Sequence, residues 1–524
     1  MYCKESIYPG KSAYLMRSNM YIQLQARLLR TSLCNFAYDI VVGEQTNRIS
    51  SSIGGIKCQE VLSSLNTYCH SCPSRVQTRM AKARNEKRIF QLSDYDCIGF
   101  DLDNTICRYK LTQMVKLEYE VLANYLVTQK GHDAEYLLKP LERSTDFLQK
   151  GLVFDFYKGN ILQLGSDGFI KKGSHGTRFM SDIEIQNIYG SDRKWNASVA
   201  FCQDMLVAWN GPMSERIRTA SDYFDMPAAL AFGRIVDSLD SRDGNKLEFY
   251  NVWPDVLDGL IYMFKRENFN SNEGGYFSAL KEKPERYINK CSNNVINWLQ
   301  QVKDSKLVFL LTGSHVDFAS FSATNSLGAN WRNLFDIVVC YARKPGFFTG
   351  ARPFLKLDGI TEMDPIGSED LDLGNIYSQG NWQDLYQFLA KKTGLQQPKC
   401  LYVGDNLIQD IYVPSEYTKC DAVAVVEELG AEGMNGVDSY FHNDASVIVS
   451  NCWGSYFGTK EKQCDGSSFW GEVIKKHSKI CVPDLDVLAN LPLTHEFHTF
   501  SQGDDQSDFL GYYPGCPKSF WQSP

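Results

Sequence analysis

No stretch of this 524-residue chain stays apolar for the roughly 18–20 residues that a membrane span needs. The N-terminus shows no clear apolar core of a secretory signal. Positive charge is not in excess: 54 Lys and Arg face 62 Asp and Glu, giving a formal net charge of −8. That balance excludes a general nucleic-acid binder, and an anionic substrate would need a locally positive pocket. Cysteine, at 16, is too sparse for a disulfide scaffold. Cys97, Cys340 and Cys400 sit in strand-like runs, so free thiols in a reducing compartment are expected. Cys69-His70-Ser71-Cys72 has the spacing of half a zinc site, but no second C-x-x-C pair completes it. Asn196-Ala197-Ser198 matches a glycosylation acceptor and means little without a secretory signal.

What is present indicates a folded protein. Hydrophobic residues make up 43% and aromatics 13%, and the length exceeds what one ordinary core needs. Residues 1–90 read as a poorly ordered extension. Lys4, Lys11, Arg17, Arg27 and Arg30, with many serines, give its first 80 residues a bias like that of a mitochondrial transit peptide. The expectation is a cytoplasmic protein, with a mitochondrial one as the alternative if that segment is an address.

Short apolar runs at Cys97–Phe100, Leu307–Leu311, Phe335–Cys340, Cys400–Val403 and Ala422–Val426 read as buried parallel strands. Helical patterns at Asn293–Val302 and Trp382–Lys392 lie between them. The alternation predicts an α/β fold with a doubly wound, mostly parallel sheet. About 200 residues separate the first two strands, far more than a connection needs. Gly151–Phe156, Asn160–Leu164 and Gly168–Ile170 read there as short strands, and Asp225–Leu239 as a helix. The expected organisation is a core of residues 91–112 and 295–430, with a loop-rich insertion at 350–395. A cap spans 113–294, and a partly irregular C-terminal region, 431–524, packs on the core.

In such sheets ligands bind outside the carboxyl ends of the strands. The first run ends in Asp101-Leu102-Asp103-Asn104-Thr105. Two carboxylates two residues apart converge at a strand end and repel unless a cation sits between them. The pair suits a hard cation such as Mg2+ or a nucleophilic aspartate, and alone it also fits a solvated turn. After the second run come Thr312-Gly313-Ser314, able to bind phosphate oxygens through hydroxyl and backbone N–H groups. After the third comes Ala342-Arg343-Lys344-Pro345, whose lysine can offset carboxylates and phosphate. After the fourth come Gly404-Asp405-Asn406, with Asp410 further on, which can complete an oxygen-ligand site.

This order of strand-end residues resembles the haloacid dehalogenase-like phosphatase superfamily. Gly99–Ile106, Gly151–Phe156, Ser174-His175-Gly176-Thr177, Tyr223-Phe224-Asp225-Met226-Pro227, Ala342–Phe348 and Tyr402–Asp405 resemble the cytosolic purine 5'-nucleotidase family. Trp453–Phe457 and Gly511–Pro514 resemble one branch of it. The resemblance covers residues 92–515 and implies a haloacid dehalogenase-like core with the cap between the first two motif strands. It implies that Asp101 attacks phosphorus through an aspartyl-phosphate. Asp103 then protonates the leaving oxygen, from a raised pKa, and later activates water. Mg2+ would be held by Asp101, the backbone carbonyl of Asp103, and Asp405, with Asp410 an accessory acid. Thr312, beside Gly313 and Ser314, would hold a phosphoryl oxygen, and Lys344 would neutralise the aspartates. Phe224 and its neighbour Asp225 would meet a base, although the family often has Asn at the second position. His175 and Arg178 would meet ribose or phosphate.

The implied partner is a small phosphomonoester, a nucleoside 5'-monophosphate, with no nucleic-acid polymer and no membrane span. A homo-oligomer is left open. A non-nucleotide phosphatase and a phosphatase-fold scaffold of low activity are the alternatives.

Overall fold

The computed structural model describes residues 89–208, 210, 212–437, 446–458, 467–500 and 511–520. The transit-like bias and the Cys69–Cys72 pair lie outside the described residues. Ile89 and Phe90, placed above in the extension, instead pair antiparallel with Phe497–His498.

Cys97–Phe100 (β1) is buried at all four positions, as an unbroken apolar run requires when neither face meets water. Leu111–Lys130 (α1) follows a turn. Its buried Leu111, Met114, Val115, Tyr119, Leu122, Ala123 and Leu126 recur at helical spacing, and Gly131 closes it in the left-handed region.

An inserted unit then holds Val153–Asp155 (β2), Asn160–Leu164 (β3), Ile170–His175 (β4), Arg178–Phe179 (β5) and Ile217–Thr219 (β6). They form an antiparallel sheet in the order β5-β4-β3-β2-β6. The third strand lies further on than Gly168–Ile170, because Gly168 occupies a turn at φ +82° and pairing runs on to His175. Met226–Asp243 (α2) and Trp253–Met263 (α3) pack with α1 around a separate apolar cluster that includes Phe154, Phe232 and Tyr250.

The chain returns through Asn293–Ser305 (α4), whose Val295, Trp298, Leu299 and Val302 face the core and whose start Ser292 caps by accepting from the Val295 N–H. Leu307–Leu311 (β7), Val316–Leu327 (α5) and Ile337–Cys340 (β8) follow. Residues 350–395 are not loop-rich. They hold Phe354–Asp358 (β9), Thr361–Ile366 (β10), Ile376–Gln379 (β11) and Trp382–Thr393 (α6). Their exposed, polar alternation belongs to a sheet-edge hairpin with one wet side, not to an irregular loop. Cys400–Gly404 (β12), Asp421–Val425 (β13) and Cys481–Val482 (β14) complete the sheet.

Among the described residues this sheet has nine strands, ordered β10-β9-β11-β8-β7-β1-β12-β13-β14. It is parallel from β11 to β14, and β9 pairs antiparallel with both β10 and β11. From β1 the order runs outward in both directions, so the strand ends around β1 form a switch point where a crevice opens. Gly99 is required by packing in the middle of β1: a Cβ there would lie 2.1 Å from the ring of its cross-strand partner Phe309. No helix among the described residues is long and apolar enough to cross a membrane.

Candidate active site

Strand register brings the chemistry together. Phe100 pairs with Leu310 on one side and Val403 on the other, so Asp101, Leu311 and Gly404 end their strands at one level. Asp101 N–H donates to the Val403 carbonyl at 2.9 Å, and Ala342 N–H donates to the Thr312 carbonyl at 3.0 Å, which ties the four loops together. Tyr341 and Arg343 take left-handed backbone angles on either side of Ala342, in the loop that delivers Lys344.

Lys344 Nζ lies 2.7 Å from Asp101 Oδ1, 2.6 Å from Asp410 Oδ1 and 3.2 Å from Tyr402 Oη. Its side chain is 4% exposed, so these are dry, charge-assisted contacts. Asp405 follows Gly404, and Asn406 then accepts from the N–H groups of Ile408 and Gln409 to start a wide helical turn, Leu407–Tyr412. That turn brings Asp410 back over Gly404, where a Cβ would sit 2.4 Å from the Asp410 Cβ.

Carboxyl oxygens of Asp101, Asp405 and Asp410 lie within 4.8 Å of one another, and all three residues are buried. Burial pushes Asp101 up to about 7, against the pull of Lys344. Burial also pushes Asp405 well above the carboxylate range. Burial alone would depress Lys344, but Asp101 and Asp410 outweigh it and hold the ammonium well above its ordinary value. One contacting ammonium cannot balance three carboxylates, and Asp405 Oδ2 is buried without a hydrogen-bond partner among the described residues. An all-oxygen donor set with excess negative charge and an orphaned oxygen fits a hard divalent cation.

Asp103 turns away from that cluster. Its Oδ1 accepts from Tyr109 Oη at 2.6 Å, and its Oδ2 from Ser314 Oγ at 2.6 Å and, more weakly, from Thr312 Oγ1 at 3.4 Å. Burial raises its pKa, opposed by these hydroxyls, Ser314 foremost. The two carboxylates of the opening motif therefore have distinct surroundings: Asp101 faces the Lys344 ammonium and Asp103 faces hydroxyls.

A cavity of about 170 Å3 opens above them. Asp101, Asp103, Gly313, Ser314, Lys344, Asp405, Asp410 and Phe224 line it, so the structure brings these predicted residues together. Thr312 is fully buried beneath, where its hydroxyl also accepts from the Ser314 N–H. Besides Thr312, three predicted residues are not among those lining it. Asp225 turns to the Ser221 hydroxyl at 3.1 Å. His175 is held by Asn160 at 2.8 Å, Asp240 at 2.9 Å and Tyr250 at 3.1 Å. Arg178 is exposed and paired with Glu184 at 2.7 Å.

Sequence reasoning missed Asp222, Asn104, Asn406 and Gln409 in the lining. Asn406 Nδ2 donates to Asp222 Oδ2 at 3.2 Å, which ties the inserted unit to the Asp405 loop. Burial, then Asp225, pushes Asp222 up to about 8. The only signal was its place directly before Tyr223-Phe224. Tyr109, six residues after Asp103, carried no signal at all. Asn104 adopts φ +58°, a backbone that asparagine tolerates better than most residues.

Known proteins are similar to this chain in sequence. The 5' nucleotidase family matches residues 86–447. The Homo sapiens protein named 5'-nucleotidase domain-containing protein 1 is 34% identical over 456 residues, covering 82% of this chain and 96% of its own length. The Bos taurus protein of the same name is 33% identical over 449 residues, with the same coverage of both. The Rattus norvegicus 5'-nucleotidase domain-containing protein 2 is 27% identical over 339 residues, 63% of this chain and 56% of its own.

Proposed function

The chain belongs to the 5' nucleotidase family, a family of phosphoric monoester hydrolases, and from that premise we propose a Mg2+-dependent phosphomonoesterase that acts through Asp101 on a nucleoside 5'-monophosphate. The observation that carries this reading is the convergence of Asp101, Asp405 and Asp410 on one point, with Lys344 bridging Asp101 and Asp410.

When bound, Mg2+ would be held by Asp101, Asp405 and Asp410, and it would supply the positive charge that draws a phosphoryl dianion into an acidic site. Asp101 attacks phosphorus, and the bond to the leaving oxygen breaks as Asp103 gives that oxygen its proton. The aspartyl-phosphate is then opened by a water whose proton returns to Asp103, which frees phosphate and restores Asp101. Tyr109, Ser314 and Thr312 fix the Asp103 carboxyl between these two transfers. Burial, which raises Asp103, suits a group that must hold a proton until the leaving oxygen needs it. Lys344 opposes the charge that gathers on the phosphoryl oxygens.

The inserted unit acts as a cap in this reading, supported by Asp222 and Phe224 reaching the cavity from it. Phe224 offers a ring face for a base, and a non-nucleotide substrate is the second reading because Asp222 places an acid beside that ring.

Asp101→Asn is the test. Phosphate release in the presence of Mg2+ should fall by at least about a thousandfold while thermal melting shows a folded protein. Turnover at the wild-type rate would overturn the mechanism.

A further inference from the structure

The strand-end residues account for the phosphoryl group and leave the leaving group unexplained. Beside it the inserted unit holds an acidic cluster, and the inference drawn from it rests on the phosphomonoesterase reading. Asp222 and Phe224 line the cavity. Glu118, within the buried stripe of α1, is fully buried, and neither of its carboxyl oxygens has a hydrogen-bond partner among the described residues. After burial itself, Asp222 and Asp225 are what push its pKa up, so the three acids lie within one another's field. Tyr276 Oη is buried and unpartnered among the described residues too, within the field of Glu118 and Asp103. Nearly all buried polar groups in folded proteins have a partner, and orphaned ones are costly. Orphaned groups on two side chains within the field of a lining acid leave the wall around Asp222 short of donors, which a donor on the ligand would offset at Asp222 itself.

The ionisable groups here are nearly all acids. The cavity presents Asp101, Asp103, Asp222, Asp405 and Asp410 but only Lys344 as a cation, and Asp101 and Asp410 already hold it. Arg218 and Lys150 offset part of the charge on Asp225 and Asp222, and Lys150 is itself held by Glu428 at 3.4 Å. Aromatic rings complete the surroundings. Phe224 meets Tyr109 and Phe264 at 5.8 Å each, and Phe264 meets Tyr276 at 5.1 Å. Ring faces are electron-rich and attract cations and N–H donors. A second anionic group on the substrate would find no free cation among the lining residues, whereas a nitrogen donor finds acids and ring faces.

We propose that the leaving group of the substrate carries an amino or ammonium nitrogen, bound by Asp222 and the face of Phe224 with Asp225 and Glu118 behind them. That chemistry has two sources, a base with an exocyclic amino group and a phosphorylated amino alcohol.

Two matched pairs test it with the full chain and Mg2+: cytidine against uridine 5'-monophosphate, and ethanolamine phosphate against 2-hydroxyethyl phosphate. One charge-assisted or cation–π contact predicts a kcat/KM preference of about tenfold or more for the amino member of one pair. The pair that shows it identifies the source. In Asp222→Asn the preference falls several-fold, mainly through KM of the amino member, whereas a packing role would weaken both members alike. Glu118→Gln, which keeps shape and removes the acid, must also lower the preference, and it serves if the first variant fails to fold. Ratios near one or below it in both pairs overturn the proposal, as does an unchanged ratio in the folded variants. No phosphate release from these four substrates or from p-nitrophenyl phosphate would instead overturn the phosphomonoesterase reading, and the proposal with it.

Discussion

Lys344→Met removes one buried charge and keeps most of the side chain's volume. The structure sets the magnitude. Lys344 makes two charge-assisted hydrogen bonds, to Asp101 and Asp410. Such bonds contribute about 1.5–3 kcal/mol each, so the pair is worth about 3–6 kcal/mol. Breaking a buried ion pair from one side costs about 3–5 kcal/mol, which agrees. In activation free energy that range is about two to four decades of rate. The stability loss is smaller because the stranded Asp101 carboxyl can take up a proton. Asp101 already stands at about 7 with the lysine present, against 3.8 for an unperturbed Asp, and removing the lysine raises it further. A carboxyl whose folded pKa exceeds its unfolded one favours folding most at low pH, and that advantage is lost as pH rises through the folded value. The variant's deficit in metal-free protein should therefore be small near pH 5 and largest near pH 8. Urea unfolding in EDTA at both pH values measures it, and phosphate release measures the rate. An equal deficit at both pH values, or a rate within tenfold of wild type, would refute the charge argument.

Tyr109→Phe removes a hydrogen bond that lowers the Asp103 pKa. The proton should then be held to higher pH, and the alkaline limb of the pH–rate profile should move upward, with about 1 kcal/mol lost in stability. Gly404→Ala pushes a methyl to 2.4 Å from the Asp410 Cβ, so about 1–3 kcal/mol of stability and most of the Mg2+-induced rise in melting temperature should be lost. Glu118→Leu removes an unpartnered buried carboxyl and should stabilise the protein by about 1–3 kcal/mol. Burial raises that carboxyl well above its ordinary value, so the gain in urea unfolding should be larger at pH 8 than at pH 5.

Legibility in the sequence followed burial. β1 and β7 have the bounds read from their apolar runs, because strands covered on both faces cannot tolerate a polar interruption. The 350–395 segment misled because an edge hairpin with Gly359 at its turn has the composition of a loop. Short-range motifs located Asp101, Lys344 and Asp405, whose position at strand ends leaves little freedom. They did not locate the side chains facing the cavity from the inserted unit. Asp222 and Asp225 are three residues apart on one loop, and only the first lines the cavity. His175 and Arg178 were drawn in by resemblance, yet one is bound into a buried network and the other pairs at the surface.

The amino-acid sequence by itself determined the parallel core and the identities of the groups at its strand ends. Apolar runs and the residues that end them are local properties, and chain order carries them intact. Tertiary structure alone decided the partnerships. Register across four strands places Asp101 with Asp405 and Lys344, the turn after it gives Asp103 to hydroxyls, and packing of the inserted unit sets Glu118 within the field of Asp222. Apart from the bond between Asp103 and nearby Tyr109, those contacts join residues far apart in the chain. Their charge and desolvation energies depend on distances that only the folded chain possesses.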